Sequence, residues 1–147
     1  MTTADPAAVR LIAVVVDSDH VLLVKNRDGG CWELPGGALQ ADEDILTGLR
    51  RNVGHATGLV VAVDRLSGLY TDRDAGLSLV FLTRHVVGQI QPGPRISVCQ
   101  WFPLTAATQS MLPPWPAEQV LHALAGQRQP VIAHQASHAA GRLRVSR

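Results

Sequence analysis

Leu34-Pro35-Gly36-Gly37-Ala38-Leu39-Gln40-Ala41-Asp42-Glu43-Asp44-Ile45 opens a stretch that runs on to Thr57-Gly58-Leu59, and its reading decides the fold. Gly36 and Gly37 give a turn that a side chain would obstruct. Asp42, Glu43 and Asp44 crowd the start of the following helix, where negative charge suits the macrodipole. Ile45, Leu46, Leu49 and Val53 recur at helical spacing and predict one apolar stripe. At roughly 100° per residue, Arg51, Asn52, His55 and Ala56 fall together on the edge beside that stripe. Gly58 stands where a left-handed helix stop is expected.

Through these residues the chain resembles the Nudix superfamily, the MutT-like hydrolases of nucleoside diphosphates linked to another group. The family's box reads G-x5-E-x7-R-E-U-x-E-E-x-G-U, with U aliphatic. Laid on this sequence without a gap, it matches at Gly37, Glu43, Arg51, Val53, Gly58 and Leu59. The family glutamates fall on Asn52, His55 and Ala56. The lead-in with Lys25, Arg27 and Trp32, and the later Trp101-Phe102-Pro103-Leu104, are also similar to the family's pattern.

The resemblance implies a single α/β domain, a Nudix α/β/α sandwich with a mixed β-sheet, over roughly Val9 to Ala125. It implies that Gly37, Glu43, Arg51, Asn52, His55 and Ala56 hold the catalytic positions, with Glu43 and Arg51 pairing to brace loop against helix. It further implies substrate contacts at Arg27, Trp32, Gly36 and Gly37, and Mg²⁺ or Mn²⁺ as cofactor. Carboxylates at i, i+3 and i+4 of the family helix converge on that ion and hold it against a diphosphate.

Asn52 offers one neutral oxygen, His55 a softer nitrogen, and Ala56 nothing. These residues predict no ordered Mg²⁺ at positions 52, 55 and 56. Glu43 and His55 are the weak candidate ligands for a softer cation, and the favoured reading of His55 is a surface histidine filling a vacated site. The approach to Trp101, Arg95 to Gln100, carries no carboxylate, whereas many family members have one there. Two function classes follow. In the first, the cleft binds a nucleoside diphosphate derivative and Mg²⁺-dependent hydrolysis is impaired. In the second, the chain is an active pyrophosphohydrolase with a relocated metal site, drawing on carboxylates such as Asp72 or Asp74.

Working outward, Val9 to Val16 and Val21 to Lys25 read as strands joined by Asp17-Ser18-Asp19-His20. Leu59 to Val63, Leu66 to Tyr70, Leu77 to Val87 and Arg95 to Phe102 are β-rich, with Pro92-Gly93-Pro94 as a breaker. Pro116 suits a first helical turn, Ala117, Val120, Leu121 and Leu124 predict its core stripe, and Gly126 its stop. The boundaries are then 1–8 as a flexible N-terminus, 9–126 as the domain, and 127–147 as a C-terminal tail for which disorder is the candidate state. His134 and His138 share helical metal-site spacing but lack further ligands nearby.

A chain of 147 residues with 46% hydrophobic content suits one domain with a sizeable core. The formal net charge of +1 gives no general drive toward nucleic acid or membrane. The resemblance implies a small nucleoside-diphosphate molecule as partner, with a homodimer as the candidate assembly. Cys31 and Cys99 form no dense disulfide framework, and the opening residues lack signal-peptide character, so a reduced, cytoplasmic setting is expected.

Overall fold

The computed structural model describes residues 8–73, 76–135 and 143–145. Strand β1 (Val9–Asp17) is built from β-branched residues and carries most of the architecture. On one edge it runs parallel to β5 (Gly76–Val87) along its length, from Val9↔Leu77 to Val16↔Arg84. Its other edge is shared by two antiparallel partners. β2 (His20–Asn26) pairs at Val16↔Val21 and Asp17↔His20, whereas the short β3 (Gly36–Ala38) pairs with Arg10 to Ile12. β4 (Val60–Asp72) lies antiparallel to β5, and β6 (Ile96–Pro103) antiparallel to β2. β7 (Val131–Gln135) and β8 (Leu143–Val145) extend the sheet beyond β4, giving the order β6-β2-β1-β5-β4-β7-β8.

The pleat sends alternate residues of β1 to opposite layers. Leu11, Ala13 and Val15 pack in a cluster with Leu49 and Val53 of α1 (Ile45–Thr57). Val14 joins the other face, with Val120 and Ala123 of α3 (Pro114–Leu124). Between β6 and α3 the chain makes a short helical segment, α2 (Leu104–Ala106), that continues as a π-turn (Ala107–Met111). The result is the expected α/β/α sandwich around a mixed sheet. Among the described residues, no helix is long and apolar enough to cross a membrane.

Helix α1 is fixed at both ends. Asp44 caps it by accepting from the Thr47 backbone N–H at 2.9 Å and from the Thr47 hydroxyl at 2.8 Å. Gly58 ends it at φ +81°, a left-handed conformation that glycine adopts freely. The last turn's carbonyls are then met by the incoming loop. Gln91 donates to Thr57 O at 2.8 Å and Gly93 to Ala56 O at 3.1 Å.

Several expectations are corrected. Ile45 and Leu46 are 41% and 39% exposed, so the stripe of α1 toward the sheet is Gly48, Leu49, Val53 and Thr57. Likewise Leu121 and Leu124 of α3 face outward, and the smaller Ala117, Val120 and Ala123 pack inward. Helical spacing gives the period of apolar residues, and which of them turn inward is set by the side from which the sheet packs. The two segments expected over 59–70 are one long β4, kept paired through register shifts between Val63 and Arg65 and between Leu66 and Gly68. Within the expected tail, Val131 to Gln135 forms a strand, with Val131 and Ala133 buried against the α3 layer. Its parallel partner is β4, a non-local pairing that a short run with few large apolar groups does not announce.

Candidate functional site

β1 and β2 separate after two paired positions, and segment 33–38 enters the gap. Glu33 bridges to Val24 on the β2 side, with both backbone bonds made at 2.8–2.9 Å. Gly36 to Ala38 pairs on the β1 side, where a Cβ on Gly36 would strike the Leu11 carbonyl oxygen. The divided sheet, roofed by α1, leaves a cavity of about 590 Å³. Gly36, Gly37, Arg51, Asn52, His55 and Ala56 all line it, so the helix edge read from the sequence does face a common space.

The expected brace is present. Arg51 donates from Nη2 to Glu43 Oε1 at 2.7 Å and from Nε to Oε2 at 3.0 Å, a two-pronged contact. Glu43 also accepts the Gln40 backbone N–H at 2.8 Å, and Arg51 reaches Ala38 O at 3.0 Å. The Arg51 guanidinium, followed by the Gln40 amide, holds the Glu43 carboxyl below its ordinary value. Glu43 is thereby consumed as a structural anion and does not line the cavity.

Asn52 is equally committed. Its Nδ2 donates to Ala38 O at 3.1 Å and to Gly48 O at 3.0 Å. Two carbonyl acceptors leave only the amide nitrogen able to occupy that position, which fixes the side-chain orientation. Its Oδ1 lies where a Cβ on Gly37 would be, so Gly37 and Asn52 are close-packed partners. His55 is exposed, and Ala56 is half-buried with its carbonyl accepting from Gly93.

A divalent ion of the Mg²⁺ type needs about six oxygen ligands in near-octahedral array. This helix edge supplies none of the expected kind: one amide oxygen packed on Gly37, one imidazole and one methyl group. Among the described residues, no group of three or more His, Cys, Asp or Glu side chains could hold a metal. The donor set at positions 52, 55 and 56 therefore does not fit the family's ion. Of the candidate ligands for a softer cation, Glu43 is turned to Arg51 and does not line the cavity that His55 lines. Asp72, at the far end of β4 beside Gly76 and Gln135, does not line the cavity. Asp74 and His138 lie outside the described residues, and His134 bonds Thr71 at 2.8 Å away from the cavity.

The two remaining residues expected to contact substrate, Arg27 and Trp32, stand outside the cavity. Arg27 donates from Nε to Pro94 O at 2.7 Å and from its backbone N–H to Arg95 O at 2.8 Å, so it ties β2 to the loop before β6. Trp32 stands edge-on to Phe102 at 4.9 Å between ring centroids, with Lys25 Nζ 5.0 Å from its ring centre. Neither lines the cavity. Three charged residues that sequence reasoning missed do so: Arg10 from β1, Glu33 from the bridge, and Arg95 from the turn before β6. Glu33 accepts from Asn26 Nδ2 at 2.9 Å. Its one sequence signal was its place between Trp32 and Leu34-Pro35.

This arrangement is a glycine strand and a Glu–Arg brace beneath a helix over a divided mixed sheet, in an α/β/α sandwich. The family model for the NUDIX domain matches residues 6–124, and the chain belongs to the Nudix family. It is 33% identical over 133 residues to a MutT-like protein of Streptomyces ambofaciens, spanning 89% of this chain and 86% of that one. It is 29% identical over 105 residues to an ADP-ribose pyrophosphatase of Methanocaldococcus jannaschii, spanning 66% and 62% of the two chains. In fold it resembles the crystal structure of an ADP-ribose pyrophosphatase from Streptococcus suis, with a TM-score of 0.71, 22% identity and coverage of 88% of this chain and 99% of that one.

Proposed function

We propose that this Nudix protein binds a nucleoside diphosphate derivative of the ADP-ribose type in the cavity under α1, and that its Mg²⁺-dependent hydrolysis is impaired. The observation that carries the reading is Asn52. The residue at the first family glutamate position has its amide spent on Ala38 O and Gly48 O, holding β3 to the helix. His55 and Ala56 bring no carboxylate to the other two positions. The ligand class rests on the family and on the names of its pyrophosphatase relatives. The size of the cavity also suits it, being within the range of small-molecule sites.

Glu33 favours a second reading, an active hydrolase. It is a carboxylate in the cavity wall with no arginine partner among the described residues, able to act as a base on water. Titration calorimetry with ADP-ribose and a turnover assay with Mg²⁺ separate the two. Binding is expected, with turnover at least about 10²-fold below a parallel Nudix pyrophosphatase carrying the full box. Comparable turnover, lost in Glu33→Gln, would establish the second reading instead.

A further inference from the structure

The cavity's charge is opposite to what a metal-dependent diphosphate site requires. A site built to gather a divalent cation is anionic when empty, and it meets a diphosphate through that cation. Here the anions are absent or spent: Glu43 is paired with Arg51, and positions 52, 55 and 56 carry an amide, an imidazole and a methyl group in place of carboxylates. Arg10 and Arg95, by contrast, line the cavity, are exposed, and have no ion-pair or hydrogen-bond partner for their guanidinium groups among the described residues. They enter from opposite sides of the divided sheet, Arg10 on β1 beside Ala38 and Arg95 leading into β6. Against these two free cations the wall sets one carboxylate, Glu33, already hydrogen-bonded to Asn26.

From this we infer that Arg10 and Arg95 bind the diphosphate directly, taking the place of the metal ion, so that ligand binding is independent of Mg²⁺. The inference rests on the reading that the cavity takes a nucleoside diphosphate derivative, and it names the groups that recognise it. A guanidinium presents paired N–H donors that match phosphate oxygens two at a time, so two of them can engage the two phosphates from either side. Neither has to leave an existing partner to do so, which removes one cost of binding. Mg²⁺ bound to the free ligand would neutralise the charge that the arginines read, and so compete with the protein.

The test is calorimetric titration of ADP-ribose and of inorganic pyrophosphate in low-salt buffer, with EDTA or with Mg²⁺. Wild type is expected to bind both in EDTA, no more tightly with Mg²⁺, and more weakly as salt rises. Arg10→Gln and Arg95→Gln should each weaken binding roughly tenfold, the size of one charge-assisted contact. The lysine variants should recover part of that loss, and Arg128→Gln, exposed and outside the cavity, should leave binding unchanged. Both side chains are solvent-exposed, so the variants should melt like wild type. Binding in EDTA that is indifferent to both glutamine changes would overturn the assignment. Binding of ADP-ribose that appears only with Mg²⁺ would overturn the inference and leave the cavity as a nucleotide site. Failure to bind with or without Mg²⁺ would overturn the site reading itself.

Discussion

The two walls of the cavity are both polar, and they differ in whether their polar groups are finished. On the wall formed by β3 and α1, the two polar helix side chains have partners within the fold: Arg51 holds Glu43 and Ala38, and Asn52 holds Ala38 and Gly48. On the wall formed by β1 and the approach to β6, the Arg10 and Arg95 guanidiniums have none among the described residues. A wall closed on itself spends its polarity on stability. An open wall keeps its polarity for a ligand. Substitutions in the first should therefore change folding, and substitutions in the second should change binding.

The largest effect is expected from Gly36→Ala. The added methyl meets the Leu11 carbonyl, which is backbone and cannot turn aside, so β3 must leave β1. Denaturant unfolding should show a loss on the order of 3 kcal/mol, typical of overpacking against a rigid neighbour. An unchanged midpoint would mean that the closed wall is dispensable. Arg51→Ala should come next and lower the melting temperature more than Arg84→Ala, whose Asp64 pair is more exposed. It should also alter the acid limb. Because the folded-state pKa of Glu43 is depressed below 4.5, its stabilisation is present above that pH and lost as pH falls below it. Without Arg51 that part of the acid sensitivity should shrink, in melting curves taken across the range.

A control on the far face of the sheet sharpens the comparison. Tyr70 is buried, its hydroxyl lies 2.7 Å from His122 Nδ1, and burial holds His122 below its ordinary 6.5. The unfolded chain thus takes up the proton first, so stability is full above pH 6.5 and declines as pH falls from there toward the folded-state value. Tyr70→Phe should cost about 1 kcal/mol at neutral pH, while nucleotide affinity stays unchanged. The smallest effect belongs to the exposed His55. His55→Ala should shift stability by less than about 0.5 kcal/mol, and a larger loss in denaturant titration would place His55 with the closed wall.

The legible parts of this molecule were those written locally. Val9 to Val16, the Glu43–Arg51 spacing and the left-handed Gly58 each carry their reason within a few residues, whereas the turn expected at Gly36-Gly37 is strand β3. Helix faces were misread at Ile45, Leu46, Leu121 and Leu124, because a periodic pattern does not say which side the sheet will take. β3 and β7 escaped notice because each exists only through a strand brought from elsewhere, β1 for one and β4 for the other. The same holds for the open wall. Arg10, Glu33 and Arg95 come together only through the pairings of β1, β2 and β6, and no spacing in the sequence signals it. Arg27 and Trp32, nearer to the box in sequence, were drawn into packing instead.

The central claim is that the fold kept its brace while position 52 and its neighbours gave up the metal. Thermal melting with and without Mg²⁺ tests it most directly, on wild type and on the triple variant Asn52→Glu, His55→Glu, Ala56→Glu. Wild type should melt at the same temperature in both buffers. The triple variant should melt lower without Mg²⁺, having lost the Asn52 bonds and gained like charges at i, i+3 and i+4. Mg²⁺ should then raise its melting temperature, since an ion at 100 times its dissociation constant stabilises by about 2.7 kcal/mol. A wild-type melting temperature that climbs several degrees with Mg²⁺ would contradict the account.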